Sequence, residues 1–260
     1  MNNSNNLYQS MLLGSISGIS ETILQMPLIT YKICRQNNRK LPKYILGWYR
    51  GTFIQCASIA PITSFQVTFN SMLNNEFNKL NKLNKLNNQN KIFISGFSGL
   101  LSAFIYTPVD FITIQQQKCK ESFRNIITNN IKNKPIFIFW RGLIPCIIRE
   151  SIYVSGFLGL NPLISNQIKK KIHINNYISN IYSSLLTGVI VSVITHPFDT
   201  IKTIIQTDLN NKGFGNIAHI LVKNKGLKGL YKGIIPRSLR TCGAFYIYLL
   251  IENKYMSCTY

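Results

Sequence analysis

The sequence predicts an all-α membrane protein, with six transmembrane helices in a pseudo-threefold, barrel-like bundle. Three observations predict it. A proline is followed nine residues later by a glutamine three times, as Pro27/Gln36, Pro108/Gln117 and Pro197/Gln206. An aromatic-basic-glycine triplet recurs as Tyr49-Arg50-Gly51, Trp140-Arg141-Gly142 and Tyr231-Lys232-Gly233, with its glycines 91 residues apart each time. A period this long with internal landmarks marks one helical unit used three times. Finally, 46% of residues are hydrophobic and 14% charged, and six stretches are each long enough to cross a bilayer at 1.5 Å per residue.

The repeats divide the chain into residues 1–78, a polar loop at 79–91, then 92–171 and 172–260. The first helix, 8–36, carries Gly14-x-x-x-Gly18 and Pro27. The second, 51–76, opens on the first triplet. Only 24 residues separate proline from glycine here, against 34 and 36 in the later repeats. Leu41–Leu46 therefore has room for a turn or two of helix. The Asn-Lys-Leu run from Asn78 to Asn88 is low-complexity and reads as a loop with frayed helix. Helix three, 92–118, contains Gly96-x-x-Gly99 and Pro108. Helix four spans 142–169. Helix five, 177–207, carries Ser183, Ser184, Thr187, Gly188 and Pro197, and helix six spans 233–255. Small residues let helix backbones approach where lipid supplies no hydrophobic drive between helices. Prolines 27, 108 and 197 lie inside the odd helices, where each removes a backbone hydrogen bond and predicts a kink.

Mean hydropathy is only +0.08, so the helices must have a wet side. A net charge of +21 would suggest nucleic acid in a soluble chain. The apolar stretches exclude that partner, and basic loops suit anionic lipid headgroups and anionic solutes. The six cysteines (34, 56, 119, 146, 242 and 258) form no CxxC pair and no metal-ligand spacing with the three histidines. They read as small apolar residues, with no metal site. No Lys or Arg precedes Lys32, so any organellar address is expected to be internal. An enzyme finds no support: there is no Gly-rich phosphate loop, HExxH or nucleophile elbow. His196, beside Pro197, reads as a packed or pore-facing residue rather than a base.

After each proline, positions +2, +5 and +9 fall on one helix face. They hold Ile29, Lys32 and Gln36, then Asp110, Thr113 and Gln117, then Asp199, Lys202 and Gln206. Acid, base and amide on the inner faces of three kinked helices could close a pore through inter-helix ion pairs. Such pairs are near break-even after desolvation and can be remade.

With its tripartite length, Pro-x-[acid]-x-x-[base] on the odd helices and [aromatic]-[basic]-Gly opening the even ones, the chain resembles the mitochondrial carrier family over essentially its whole length. The resemblance implies a multi-pass protein of the mitochondrial inner membrane, expected to act as a monomer. It implies short matrix helices inside each repeat and alternating access around a central site. By position it pairs Asp110 with Lys202 and Asp199 with Lys32 as a matrix gate, leaving Ile29 opposite Thr113. Gln36, Gln117 and Gln206 take the brace positions below, expected to bond across those pairs. At the opposite gate the family places [aromatic]-[acid]-x-x-[base]. Here those slots start at Phe69-Asn70, Leu160-Asn161 and Ile251-Glu252, and only Glu252 keeps the charge. This end is expected to couple loosely or to close by packing.

The triplets resemble the family's cardiolipin sites, at Arg50, Gly51, Arg141, Gly142, Lys232 and Gly233, where free N–H groups and the helix dipole attract phosphate. Cardiolipin is the expected bound lipid, and no other cofactor is expected. The family's contact points fall on Ser58-Ile59, Arg149-Glu150 and Arg240-Thr241. Ionisable residues inside a membrane helix are functional candidates by default. Arg149, Glu150 and Arg240, with Ser58, Glu21, Gln66 and Tyr153 on the same cavity, therefore predict a small anionic metabolite as solute. Two guanidiniums would hold its anionic group. The Arg-acid pair on helix four resembles amino-acid carriers. Gly18-x-x-Glu21 and Pro236-Arg237-x-x-Arg240 resemble the di- and tricarboxylate carriers. Amino or keto acids come first, di/tricarboxylates close behind and nucleotides third. The rivals are a carrier-derived membrane scaffold that no longer transports and a basic protein of the membrane surface.

Overall fold

A computed structural model describes residues 2–36, 43–49, 52–80, 88–119, 123–133, 135–172, 175–207, 214–231 and 233–258. Arg50, Gly51 and Lys232 lie outside the described residues, as do the side chains of Ile29, Lys32, Gln36, Thr113 and Gln117. Among the described residues every regular element is a helix. The long ones are α1 (Asn2–Gln36), α3 (Thr52–Leu80), α4 (Asn88–Cys119), α6 (Leu143–Val154) running on into α7 (Asn161–Ile172), α8 (Asn176–Thr207) and α10 (Ile234–Cys258). Short helices α2 (Ile45–Trp48), α5 (Phe123–Asn133) and α9 (Phe214–Leu230) lie inside the three repeats. α2 has four residues, as short as the first repeat predicts, but lies at Ile45–Trp48 rather than 41–46, of which 41–42 are outside the described residues. α3 runs on to Leu80 and α4 starts at Asn88, beyond the expected bounds of 76 and 92, and residues 81–87 lie outside the described residues.

The long helices form a ring. α1 packs on α3, α3 on α4, α4 on α6, α6 on α8 and α8 on α10, and α10 returns to α1. Hydroxyls and small residues make the close contacts. Thr63 donates to the Gly14 carbonyl at 2.8 Å, and Ser64 to that of Met11 at 3.0 Å. A Cβ on Gly99 would sit 2.5 Å from the Glu150 carbonyl oxygen, and one on Gly188 would sit 2.7 Å from Cys242 Sγ. The two glycines mark the same point in their repeats.

Polarity is inverted relative to a water-soluble protein. Ser98, Ser102, Thr107, Ser183, Thr187 and Thr195 are buried to the last trace. Each hydroxyl donates to a carbonyl three or four residues earlier on its own helix, which satisfies it without a partner helix. The outer face of α8 carries Ile178, Ile181, Tyr182, Leu185, Leu186, Val189, Ile190, Val193 and Ile194, all exposed. That stripe at three- and four-residue spacing is a lipid-facing surface. Three stretches are long and apolar enough to span a membrane among the described residues: 88–112, 136–172 and 176–207, of mean hydropathy 1.6, 1.4 and 1.6.

α1, α4 and α8 continue through Pro27, Pro108 and Pro197. A proline leaves the carbonyl four residues earlier without its donor. For Pro108 this is Phe104, and the Trp140 indole N–H donates to it at 3.1 Å. A second contact recurs in each repeat, three residues after the proline and three before the triplet glycine. Thr30 donates to the Trp48 carbonyl at 2.6 Å, Phe111 meets Phe139 edge-on at 5.8 Å, and Thr200 donates to the Leu230 carbonyl at 2.8 Å. Gly142 (φ +80°) and Gly233 (φ +92°) turn the chain into α6 and α10 in the left-handed region, which is why the second and third triplets end in glycine.

The expected single helix 142–169 contains a π turn, Ser155–Leu160, between α6 and α7. Pro162 cannot supply the usual bond to Leu158, and a wider turn accommodates that loss.

Candidate functional site

Inside the ring, at the proline end, eight charged side chains come together from five helices. Pro-x-Asp places Asp110 on α4 and Asp199 on α8, and Lys202 follows Asp199 by almost one turn. Asp110 Oδ2 and Lys202 Nζ pair at 2.7 Å, with the lysine side chain 2% exposed. Asp199 meets Arg237 in a direct ion pair, and Arg149 Nε lies 3.7 Å from its other oxygen. Arg149 also binds the adjacent Glu150. Glu21 and Arg240 face each other at 3.9 Å.

Neutral groups complete the layer. Gln66 on α3 donates to Ser102 at 2.9 Å and reaches Glu150 at 3.5 Å. Gln25 on α1 donates to the Arg240 carbonyl at 3.0 Å. Arg237 donates to Thr195 at 3.0 Å. The Tyr106 ring lies 4.7 Å from the Arg149 guanidinium and 4.4 Å from Lys202 Nζ, within cation–π range of both. Ser58 is half-buried on α3, two turns from Gln66. Tyr153 stacks on Phe157 at 5.9 Å and meets Phe245 at 5.5 Å.

Four of the chain's eight acids stand here against four bases. The described interior is therefore balanced, and the net charge of +21 resides in the rest of the chain. Two guanidiniums sharing one carboxylate, walled by hydroxyls, amides and a tyrosine face, can bind an anionic group by charge-assisted hydrogen bonds.

The structure brings Arg149, Glu150, Gln66, Asp110, Asp199 and Lys202 into one layer and sets Glu21 with Arg240 beside it. The expected partner of Asp199, Lys32, has its side chain outside the described residues, as do the brace residues Gln36 and Gln117. Among the described residues Gln206 does not bond across an ion pair. Lying one turn beyond Lys202, it donates to the Arg141 carbonyl at 3.2 Å, while Arg141 Nε donates to the Ile205 carbonyl at 3.1 Å. The basic residue of the second triplet is thus partly engaged with the end of α8.

Tyr106 escaped the reading by motif, and Arg237 entered it only within Pro236-Arg237-x-x-Arg240, without a place among the site residues. Tyr106 lies four residues before Asp110, on the same helix face, so the 3.6-residue period carried the signal. Arg237 lies three residues before Arg240, again on one face. At the far end, Asn70 accepts from Ser95 at 2.9 Å, and Asn161 donates to the Phe245 carbonyl at 3.4 Å. Tyr248 donates to Glu252 at 3.3 Å. Tyr153, Phe157, Phe245 and Tyr248 pack ring against ring across α6, the π turn and α10. Packing by aromatic rings therefore stands close to slots where charges were sought.

A sequence model described as Mitochondrial carrier protein matches residues 84–171 and 174–258. The mitochondrial glycine transporter YMC1 of Saccharomyces cerevisiae is 25% identical over 271 aligned positions, covering 91% of this chain and 86% of that protein. A probable mitochondrial 2-oxodicarboxylate carrier of Dictyostelium discoideum is 24% identical over 278 positions, covering 96% and 90%. Mitochondrial thiamine pyrophosphate carrier 1 of Candida albicans is 30% identical over 159 residues, 55% of this chain and 52% of that protein. The chain thus spans about half the length of this last relative and most of the other two.

Proposed function

The chain belongs to the mitochondrial carrier family, and from that premise we propose that it transports a small anionic metabolite across the mitochondrial inner membrane by alternating access. The observation that carries this reading is the enclosed charged layer. Arg149 and Arg237 converge on one carboxylate inside a ring of six helices, of which α8 has an apolar outer face. A scaffold needs no such layer, because each buried ion pair costs desolvation for little net stability. In this reading all six long helical stretches cross the membrane as a pseudo-threefold bundle. Asp110, Lys202 and Asp199, with Lys32 and the three glutamines, form the matrix-side gate, and the triplets hold cardiolipin.

The solute is an amino or keto acid, with di- and tricarboxylates close behind. Arg149 and Arg240 take its anionic group, and Glu150 a cationic or hydroxyl group. Relatives named as a glycine transporter and a 2-oxodicarboxylate carrier support these two classes. The relative named for thiamine pyrophosphate keeps phosphorylated solutes third. One observation favours the scaffold as a second reading: at the far end Asn70 and Asn161 occupy positions where the family pattern has acids, and both bond to their neighbours.

A thermal-shift titration of purified protein in mild detergent with cardiolipin separates the two readings. A ligand of the native state raises the melting temperature by mass action. We expect a dose-dependent rise with one class of carboxylate, absent in Arg149→Ala and Arg240→Ala. A response to cardiolipin with none to amino acids, keto acids, carboxylates or nucleotides would favour the scaffold.

A further inference from the structure

We propose that Glu21 and Gln25, one turn apart on α1, are the receptor for an ammonium group, so that the solute is an α-amino acid held with its carboxylate on Arg240 beside them. The inference rests on the transport reading above. It chooses between amino and keto acids, and it moves the cationic end of the solute from Glu150 to α1. That helix carries none of the three contact points expected from the resemblance, which fall at residues 58–59, 149–150 and 240–241.

Glu21 is a buried carboxylate with an incomplete set of partners. It is 8% exposed, and among the described residues it faces Arg240 at 3.9 Å. At that distance the charges attract, but the separation is too long for a hydrogen bond. A buried carboxylate short of donors is costly. Gln25, four residues on and on the same helix face, repeats the deficit. Its Nε2 donates to the Arg240 carbonyl at 3.0 Å. Gly243 makes room for that amide, since a Cβ there would sit 2.8 Å from Nε2. The donor end of Gln25 is thereby fixed on the backbone, and its Oε1 is buried without a donor among the described residues. Two neighbouring acceptors that lack donors, one of them charged, call for a cation rich in N–H groups. An ammonium offers three.

Glu150 is placed differently. Its carboxylate is bound by Arg149 and reached by Gln66 at 3.5 Å, so it is already engaged within the protein. Arg240 is the opposite case. Its backbone carbonyl holds Gln25, while its side chain stays 40% exposed. An α-amino acid bears carboxylate and ammonium on one carbon, and the loose Glu21–Arg240 pair presents the two complementary charges side by side. A keto acid of the same skeleton has a carbonyl oxygen where the ammonium would stand. That oxygen would meet Glu21 and Gln25 Oε1 as acceptor against acceptors, and leave both without donors.

The full chain is purified as wild type, Glu21→Gln, Gln25→Met and Glu150→Gln, in detergent with cardiolipin. Melting midpoints are followed against three pairs of matched skeletons: glycine and glyoxylate, alanine and pyruvate, glutamate and 2-oxoglutarate. Each variant is referenced to its own ligand-free midpoint, and the readout is the ratio of half-effect concentrations within a pair. In wild type the amino member of at least one pair should act at about tenfold lower concentration than its keto partner, because the site's acceptors depend on the donors that the keto acid lacks. Glu21→Gln and Gln25→Met should each narrow that ratio to about threefold or less, and Glu150→Gln should keep it. A keto member that acts as well as its amino partner on wild type overturns the ammonium receptor and leaves the transport reading standing. That arm needs no variant, so it decides even where a substitution prevents folding. A ratio that survives both substitutions on α1, or is lost only in Glu150→Gln, overturns the placement on α1. No response to any of these six probes, with a rise from a di- or tricarboxylate or a nucleotide, overturns the inference alone. No response to any of them overturns the transport reading as well.

Discussion

Arg149 touches three groups of the site: Glu150, Asp199 and the face of Tyr106. Replacing it with alanine should abolish uptake into proteoliposomes while the protein still inserts, and unchanged uptake would remove it from the site. Its place on α6 was legible from the resemblance, which sets a contact point seven residues after Gly142. Its partners were not legible, since Arg237 and Asp199 are brought to it by packing of α8 and α10 against α6. Trp140 teaches the same lesson from the other side. The triplet marks an aromatic residue at a helix start, but only the fold shows its indole N–H closing the carbonyl that Pro108 leaves open. Trp140→Phe keeps the ring and deletes the donor, and should lower stability by about 1 kcal/mol, read as a fall in melting temperature in detergent.

At the scale of the element, close approach within a repeat rests on glycine. Gly188→Val would drive a side chain into the Cys242 backbone, whose Cα and N lie 2.8 and 2.9 Å from the position of a Cβ. Overpacking of that kind costs about 1–3 kcal/mol. Gly215, on α9, has nothing within 4 Å of a Cβ, so Gly215→Ala should be neutral or slightly stabilising through helix propensity. Parallel melting curves of the two variants check the contrast, and equal destabilisation would refute it. Most helix bounds were legible to within about four residues because proline, glycine and apolar runs punctuate the chain, but α1 begins at Asn2, six residues before the expected start. The π turn at Ser155–Leu160 was not, since a local widening leaves little trace in hydrophobic period.

For the whole molecule, the all-helical class and the family were legible because a long period with internal landmarks admits few architectures. How many helices cross the membrane is decided by α1, α3 and α10, whose helices are 35, 29 and 25 residues long and more polar than the three apolar spans. Single cysteines at Tyr8, Tyr44 and Lys254, in an otherwise cysteine-free chain in sealed vesicles, report on this. If all six stretches cross, impermeant maleimide labels Tyr8→Cys and Lys254→Cys from one side and Tyr44→Cys from the other. Labelling of Tyr8→Cys and Tyr44→Cys from the same side would show that α1 does not cross.

The pairing of four acids with four bases in the interior has an electrical consequence. A membrane potential acts on each charge that shifts through its field by about 2.3 kcal/mol per 100 mV. When such charges move as opposite pairs, those contributions cancel. Rearrangement of the described core without cargo should therefore be nearly indifferent to voltage, and the current that accompanies a turnover should report the valence of the solute.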